Sequence, residues 1–164
     1  MNIRHVEPTE LSQLLALLRP KAEFDGCLES IHATVASLRS TLFADKPLAY
    51  ALVAEAGGQL IGMATYYAIF ASFIAKPGLW LDDLFVDPGL GGHGTGRQLM
   101  QRLCLIARAS GCARVDRHVS RANERGIRFY RGIGAIISEK AQHVRLGEAE
   151  IHALADECIQ ATRR

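Results

Sequence analysis

Asp87 to Gln101 reads DPGLGGHGTGRQLMQ. Five glycines fall within the eight residues 89–96, and a helix-like pattern starts directly after them. Glycine costs backbone entropy wherever it sits, so five in one loop answer a geometric need. The run follows the apolar, strand-like segment Leu79–Val86 and precedes Leu99, Leu103, Ile106 and Ala107 at helical spacing. Strand, glycine loop and helix together make an anion-binding device. The first helical amides have no acceptor within the helix, the helix dipole favours negative charge there, and glycines let the main chain come close. A phosphate group is the ligand this predicts.

Working outward, the 164 residues fit one domain with a real core, spanning 1–164. Hydrophobic content of 49% and charged content of 22% are those of a globular protein. The apolar run Tyr66–Ala75 is far too short to span a membrane, and the start, MNIRHVEPTE, has no apolar signal core, so a cytoplasmic location is expected. Cys27, Cys104, Cys112 and Cys158 are scattered and are expected as buried, reduced thiols. The histidines show no metal-ligand spacing, so no metal is expected. Net charge is +2, but nine arginines lie between Arg97 and Arg131, with only Asp116 and Glu124 as acids among them. A basic segment beside the glycine run again suggests an anionic ligand. No aromatic stripe or zinc finger accompanies it, so nucleic acid is not the expected partner.

Pattern gives the elements. Asn2–Val6 reads as a strand, and Pro8-Thr9-Glu10 opens a helix to about Arg19. Ser30 caps a second helix through Ser40. Ala49–Ala56 and Gln59–Phe70 form a hairpin about Gly57-Gly58, and Pro77-Gly78 turns the chain into strand Leu79–Val86. The helix Arg97–Ser110 stops at Gly111. Strand Ala113–Val119, helix Asn123–Ile133, strands Ala135–Ser138 and Gln142–Leu146, and helix Glu148–Ile159 complete the chain. The order is βααβββαβαββα: an α/β (α+β) fold with a mixed, mostly antiparallel central sheet flanked by helices.

Three loops of this kind compete. Gly91–Gln98 against a P-loop lacks the lysine and the magnesium-binding hydroxyl, since Arg97 and Gln98 stand there. Gly89–Gly94 matches the dinucleotide pattern GxGxxG, with Asp116 downstream. That fold needs further parallel strand–helix units, and only 48 residues follow Asp116. The third reading is the most specific. DDLFVDPGLGGHGTGRQLMQRL (Asp82–Leu103) carries Gly94-Thr95-Gly96 after a strand, and NERGIRFYRGIGA (Asn123–Ala135) carries Asn123, Phe129, Tyr130 and Gly134. These resemble the two motifs of the GNAT superfamily of N-acetyltransferases. Gly91 stands where that family has Gln or Arg, and Arg125-Gly126 replace its common Pro-Ala. Together with KAEFDG (Lys21–Gly26) and Gly62–Pro88, the pattern is most similar to diamine (spermidine/spermine-type) acetyltransferases.

The resemblance implies acetyl-CoA as co-substrate, a primary amine of a small molecule as acceptor (diamine, polyamine or amino-acid-like), and a homodimer paired through C-terminal strands such as Gln142–Leu146. It also implies roles. Main-chain amides from Gly92, His93, Gly94, Thr95, Gly96 and Arg97 would hold the pyrophosphate. The backbone of Leu84, Phe85 and Val86, next to a bulge, would pair with the pantetheine arm, and an amide near Leu84 would donate to the developing oxyanion. Asn123 and Gly126 would lie on the coenzyme side. Tyr130 would be the general acid, because a phenol of pKa about 10 stays protonated at neutral pH. Asp82 would relay the amine's proton through water, with Asp83 on the opposite face of the strand unless the bulge intervenes, and Asp25 would meet a second amine. An acyl-CoA sensor without catalysis and a dinucleotide-dependent oxidoreductase remain the rival functions.

Overall fold

The computed structural model describes residues 1–90 and 94–162. They form two compact units, Met1–His118 and the segment beginning at Val119.

The first unit is a five-stranded sheet in the order β1 (Asn2–His5), β2 (Tyr50–Ala56), β3 (Gln59–Ala71), β4 (Lys76–Val86), β5 (Val115–Asp116). The first four strands are antiparallel, and β5 lies parallel to β4. Gly57 and Gly58 turn the β2–β3 hairpin with φ of 60° and 78°, the left-handed pair a two-residue hairpin needs. One face of the sheet carries α1 (Leu11–Phe24) and α2 (Val35–Leu42); Leu11, Leu14, Val53 and Met63 are fully buried there. Alternation turns Leu52 and Ala54 to the other face. There α3 (Thr95–Ala109) covers the sheet: Leu99 and Leu103 are fully buried, and Leu99 reaches so near Gly62 that a Cβ at that glycine would meet its Cδ1 at 3.5 Å.

One β4–β5 pair is the whole parallel content among the described residues, which rules out the serial parallel units of a dinucleotide fold. The mixed, mostly antiparallel sheet was expected; several local readings need correction. Helix α1 runs past Pro20 to Phe24, so Lys21–Phe24 are its last turn and Asp25 its C-cap. Pro20 removes one internal hydrogen bond, yet the buried stripe Leu14, Leu17, Lys21 continues across it. The second helix starts at Val35 rather than Ser30, because Thr34 and Ser37 form a reciprocal capping box. The β3–β4 turn is the short 3-10 turn Ser72–Ile74 with Ala75 at φ 49°, while Pro77-Gly78 lie within β4. Strand Ala113–Val119 shrinks to Val115–Asp116.

The second unit holds α4 (Glu124–Gly132) and α5 (Glu148–Thr162). The expected strands Ala135–Ser138 and Gln142–Leu146 do not form, so the order ends in two helices: βααβββαβαα. The cysteine reading is corrected too: none of the four is in a disulfide, but Cys27, Cys104 and Cys158 are exposed and Cys112 half-buried.

Candidate active site

A bulge in β4 organises the first part of the site. Asp83 pairs with Thr65 and Leu81 with Tyr66, which leaves Asp82 as the extra residue. The bulge therefore sits two residues before the expected Leu84, and it undoes the alternation that would put consecutive residues on opposite faces. Asp82 and Asp83 line one cavity of about 370 Å³, together with Leu18, Lys21 and Ala22 of α1, its C-cap Asp25, and the loop through Ile31 and His32. The three acids assigned to the acceptor amine thus meet in one place.

The partners of these acids differ. Asp83 receives the Thr65 hydroxyl at 2.9 Å on one oxygen and the Lys21 ammonium at 3.4 Å on the other, while its own amide donates to Thr65 Oγ1 at 3.0 Å. Asp25 is bound by the same Lys21 ammonium one helical turn away. Asp82 is exposed and has no cation within ion-pair distance among the described residues; it accepts a bond of 3.3 Å from the indole Nε1 of Trp80. Trp80 stacks on Tyr67 and meets His118 edge-on at 4.7 Å, so an aromatic wall stands behind that carboxylate. Burial first, and then the negative charge of Asp82, push the Tyr67 phenol above its ordinary value, which keeps it protonated.

The other part of the site is main chain. Asp87 donates to the Ile61 carbonyl at 2.9 Å, and alternation along the antiparallel pair turns Phe85 to β3 as well. The N–H and C=O groups of Leu84 and Val86 then point away from β3. Among the described residues β5 pairs only with Leu79 and Trp80, so this outer edge has no strand beside it. The side chain of Phe85 packs against the core under α1, which restricts its part to the backbone. At the start of α3, Gly94 is the N-cap with φ 97° and offers no side-chain cap. Gln98 bonds back to the Gly94 carbonyl, whereas the amides of Gly96 and Arg97 precede the first internal acceptor. Thr95 is turned inward, 1% exposed, with its hydroxyl 3.3 Å from the Met1 sulfur, so its side chain faces the core. Gly92 and His93 lie outside the described residues.

In the second unit Asn123 caps α4: its Oδ1 accepts the Gly126 amide at 2.8 Å. A Cβ at Gly126 would fall 2.8 Å from the Asn123 side chain, so the glycine permits the cap. Both residues thus have a local structural duty. Tyr130 is buried, 7% exposed, and Phe129 meets its ring edge-on at 5.1 Å.

Sequence reasoning missed Lys21, Thr65, Tyr67 and Trp80. Lys21 left one signal, a cation four residues before Asp25 on the continuing helical stripe. The others become neighbours of the acids only through the β3–β4 register.

The site thus combines a strand with an open edge, an acid at its bulge, and a glycine-capped helix after it. The Acetyltransferase (GNAT) family model matches residues 12–135. The chain is 31% identical over 151 residues to a human (Homo sapiens) spermidine/spermine N(1)-acetyltransferase-like protein 1, covering 87% of this chain and 22% of that protein. It is 24% identical over 141 residues to the thialysine N-epsilon-acetyltransferase of Sus scrofa, covering 81% and 82%. Among solved structures, an integron cassette protein from the mobile metagenome of V. cholerae superposes with a TM-score of 0.77 at 24% identity, covering 94% and 96%. The chain belongs to the GNAT acetyltransferase family, and the class of enzyme this defines is an N-acetyltransferase. It spans less than a quarter of the length of the human relative and about four-fifths of the porcine one.

Proposed function

We propose that the chain transfers an acetyl group from acetyl-CoA to a primary amine of a small molecule. One observation carries the reading: the bulge puts the exposed carboxylate of Asp82, with no cation within ion-pair distance among the described residues, two residues from Leu84, whose N–H leaves the sheet on the open edge. The residues present suit the coenzyme. The glycine-capped start of α3 offers outward amides to a diphosphate, and the open edge of β4 offers main-chain groups to an amide-bearing arm. Acetyl-CoA, when bound, supplies the thioester from which the acetyl group passes to the amine nitrogen.

The chain's own residues then divide the work. An alkylamine of pKa about 10 is mostly an ammonium at neutral pH and must lose a proton before it can attack. Asp82 attracts that ammonium and takes the proton, directly or through one water. The Leu84 amide donates to the negative charge that develops on the acyl oxygen. Tyr130 returns a proton to the departing thiolate, a role carried over from the motif NERGIRFYRGIGA. Asp25 and Asp83 add negative potential to the acceptor cavity. The relatives named for spermidine/spermine and for thialysine acetylation support the amine class. The exposed Val144 and Leu146 support pairing of two copies through Gln142–Leu146. No helix among the described residues is long and apolar enough to cross a membrane.

Thiol release with a mixed panel of primary amines tests the reading, beside melting curves with acetyl-CoA and with NADH. At a coenzyme concentration about a hundredfold above Kd, acetyl-CoA should raise Tm by roughly 5–10 °C and NADH should not. Stabilisation by acetyl-CoA without thiol release for any amine would make the chain a sensor. Stabilisation by NADH alone would overturn the acyl-transfer reading altogether.

A further inference from the structure

The acceptor cavity contains three carboxylates and, buried among them, one ammonium. Lys21 is 7% exposed, an unusual degree for a lysine. Its Nζ binds Asp25 and lies 3.4 Å from Asp83, and all three residues line the same cavity as Asp82. Both oxygens of Asp83 already have a partner, since Thr65 holds the other one. The Lys21 head group thus stands where the second ammonium of a diamine would be drawn, with Asp25 and Asp83 as its counter-ions. Among the described residues, Asp82 is the one carboxylate of this cavity with no cation bound to it.

We infer that Lys21 is a specificity residue that fills the second-amine position, so that the acceptor carries a single ammonium in this cavity and a diamine gains nothing from its second charge. This rests on the proposed amine site. A second ammonium brought beside Lys21 meets a like charge in a partly desolvated space, while a neutral chain meets Leu18 and Ile31. Asp25, expected from the sequence to meet a second amine, is held by the protein's own lysine instead.

The test compares butylamine with 1,4-diaminobutane, by titration calorimetry on the full chain and by kcat/KM in thiol release. The wild type should bind the two within about threefold of one another. Lys21→Met should shift the ratio towards the diamine by about tenfold or more, and Lys21→Arg should keep the wild-type ratio. Circular dichroism shows whether Lys21→Met is folded. If it is not, Asp25→Asn at the half-exposed helix end decides: an unchanged ratio supports the inference, and a fall in the diamine's relative affinity of about threefold or more overturns it. A wild type that already prefers the diamine tenfold overturns it, as does an unchanged ratio in folded Lys21→Met, or failure of both amines to bind. A shifted binding ratio with no thiol release in any variant would instead defeat the acetyl-transfer reading and leave the role of Lys21 standing.

Discussion

The two sides of the β4 bulge are made of different material. Towards α3 the chain presents backbone: the outward groups of Leu84 and Val86, and the amides after Gly94. Towards α1 it presents charged side chains: Asp82, Asp83 and Asp25, with Lys21 between two of them. A backbone cradle tolerates almost any change in side-chain chemistry but not a change in φ or a blocked approach. A side-chain site tolerates neither the loss nor the neutralisation of one atom group. On the function proposed above, the backbone side is the coenzyme half and suits an invariant ligand, while the side-chain side is the acceptor half and can be retuned residue by residue.

The largest expected effects come from removing side-chain chemistry. Tyr130→Phe keeps the buried ring and deletes only the hydroxyl. Turnover should fall about 10²–10⁴-fold, with acetyl-CoA affinity measured by calorimetry little changed. Wild-type turnover would remove Tyr130 from the chemistry. Asp82→Asn should lower kcat/KM by roughly 10–10²-fold, a smaller loss because water can still carry the proton. Its pH–rate profile should lose the rise attributable to the base. An unchanged profile would mean that the acceptor half has no proton-accepting carboxylate at the bulge, and the contrast between the two halves would weaken.

How much of this was legible beforehand follows the same division. The backbone half announced itself, because a glycine run or a Gly-Gly turn is visible without knowing any partner. Gly57-Gly58 turn the β2–β3 hairpin and Gly111 follows the end of α3, both as the pattern implies. The acceptor half was legible only as single acids. Asp82, Asp83 and Asp25 were named, but Lys21, Thr65 and Trp80 reach them through helix length and strand register, and neither is local information. The expected strands Ala135–Ser138 and Gln142–Leu146 fail for a related reason. Their alternation is short, and strand propensity acts mainly through cross-strand neighbours; Ile136 and Val144 are 96% and 85% exposed.

A smaller effect should come from the backbone half. Gly94 adopts φ 97°, where an L residue is strained, although a Cβ there would meet nothing within 4 Å. Gly94→Ala should therefore cost about 1–2 kcal/mol of stability purely through its backbone, or roughly 3–6 °C in Tm. Acetyl-CoA affinity should fall, while the preference among amines stays as in the wild type. A variant that altered amine preference instead would show that the two halves are not separable.

The smallest effect separates scaffold charges from cavity charges. Arg4 of β1 grips Glu10, just before α1, with two bonds of 2.6 and 2.7 Å. The hydrogen bond from Arg4 is the main reason the Glu10 carboxyl lies below its ordinary value; burial opposes it, while the Glu7 amide and the Arg4 charge help. In the unfolded chain Glu10 titrates near about 4.3 and binds more protons than the folded one between that value and the lowered one. Its contribution is thus complete above pH ~4.3 and disappears as the pH falls through the folded value. Glu10→Gln should lower Tm at pH 7 by about 2–4 °C, as a partly exposed pair worth at most about 1 kcal/mol allows, and the acid limb of Tm against pH should become shallower. Amine preference and kcat/KM at pH 7 should stay where they are, because this ion pair ties β1 to the approach to α1 and does not line the cavity. Should Glu10→Gln alter amine selectivity as Lys21→Met is expected to, the acceptor half would owe its specificity to the placement of α1 as a whole and not to the one ammonium buried in its last turn.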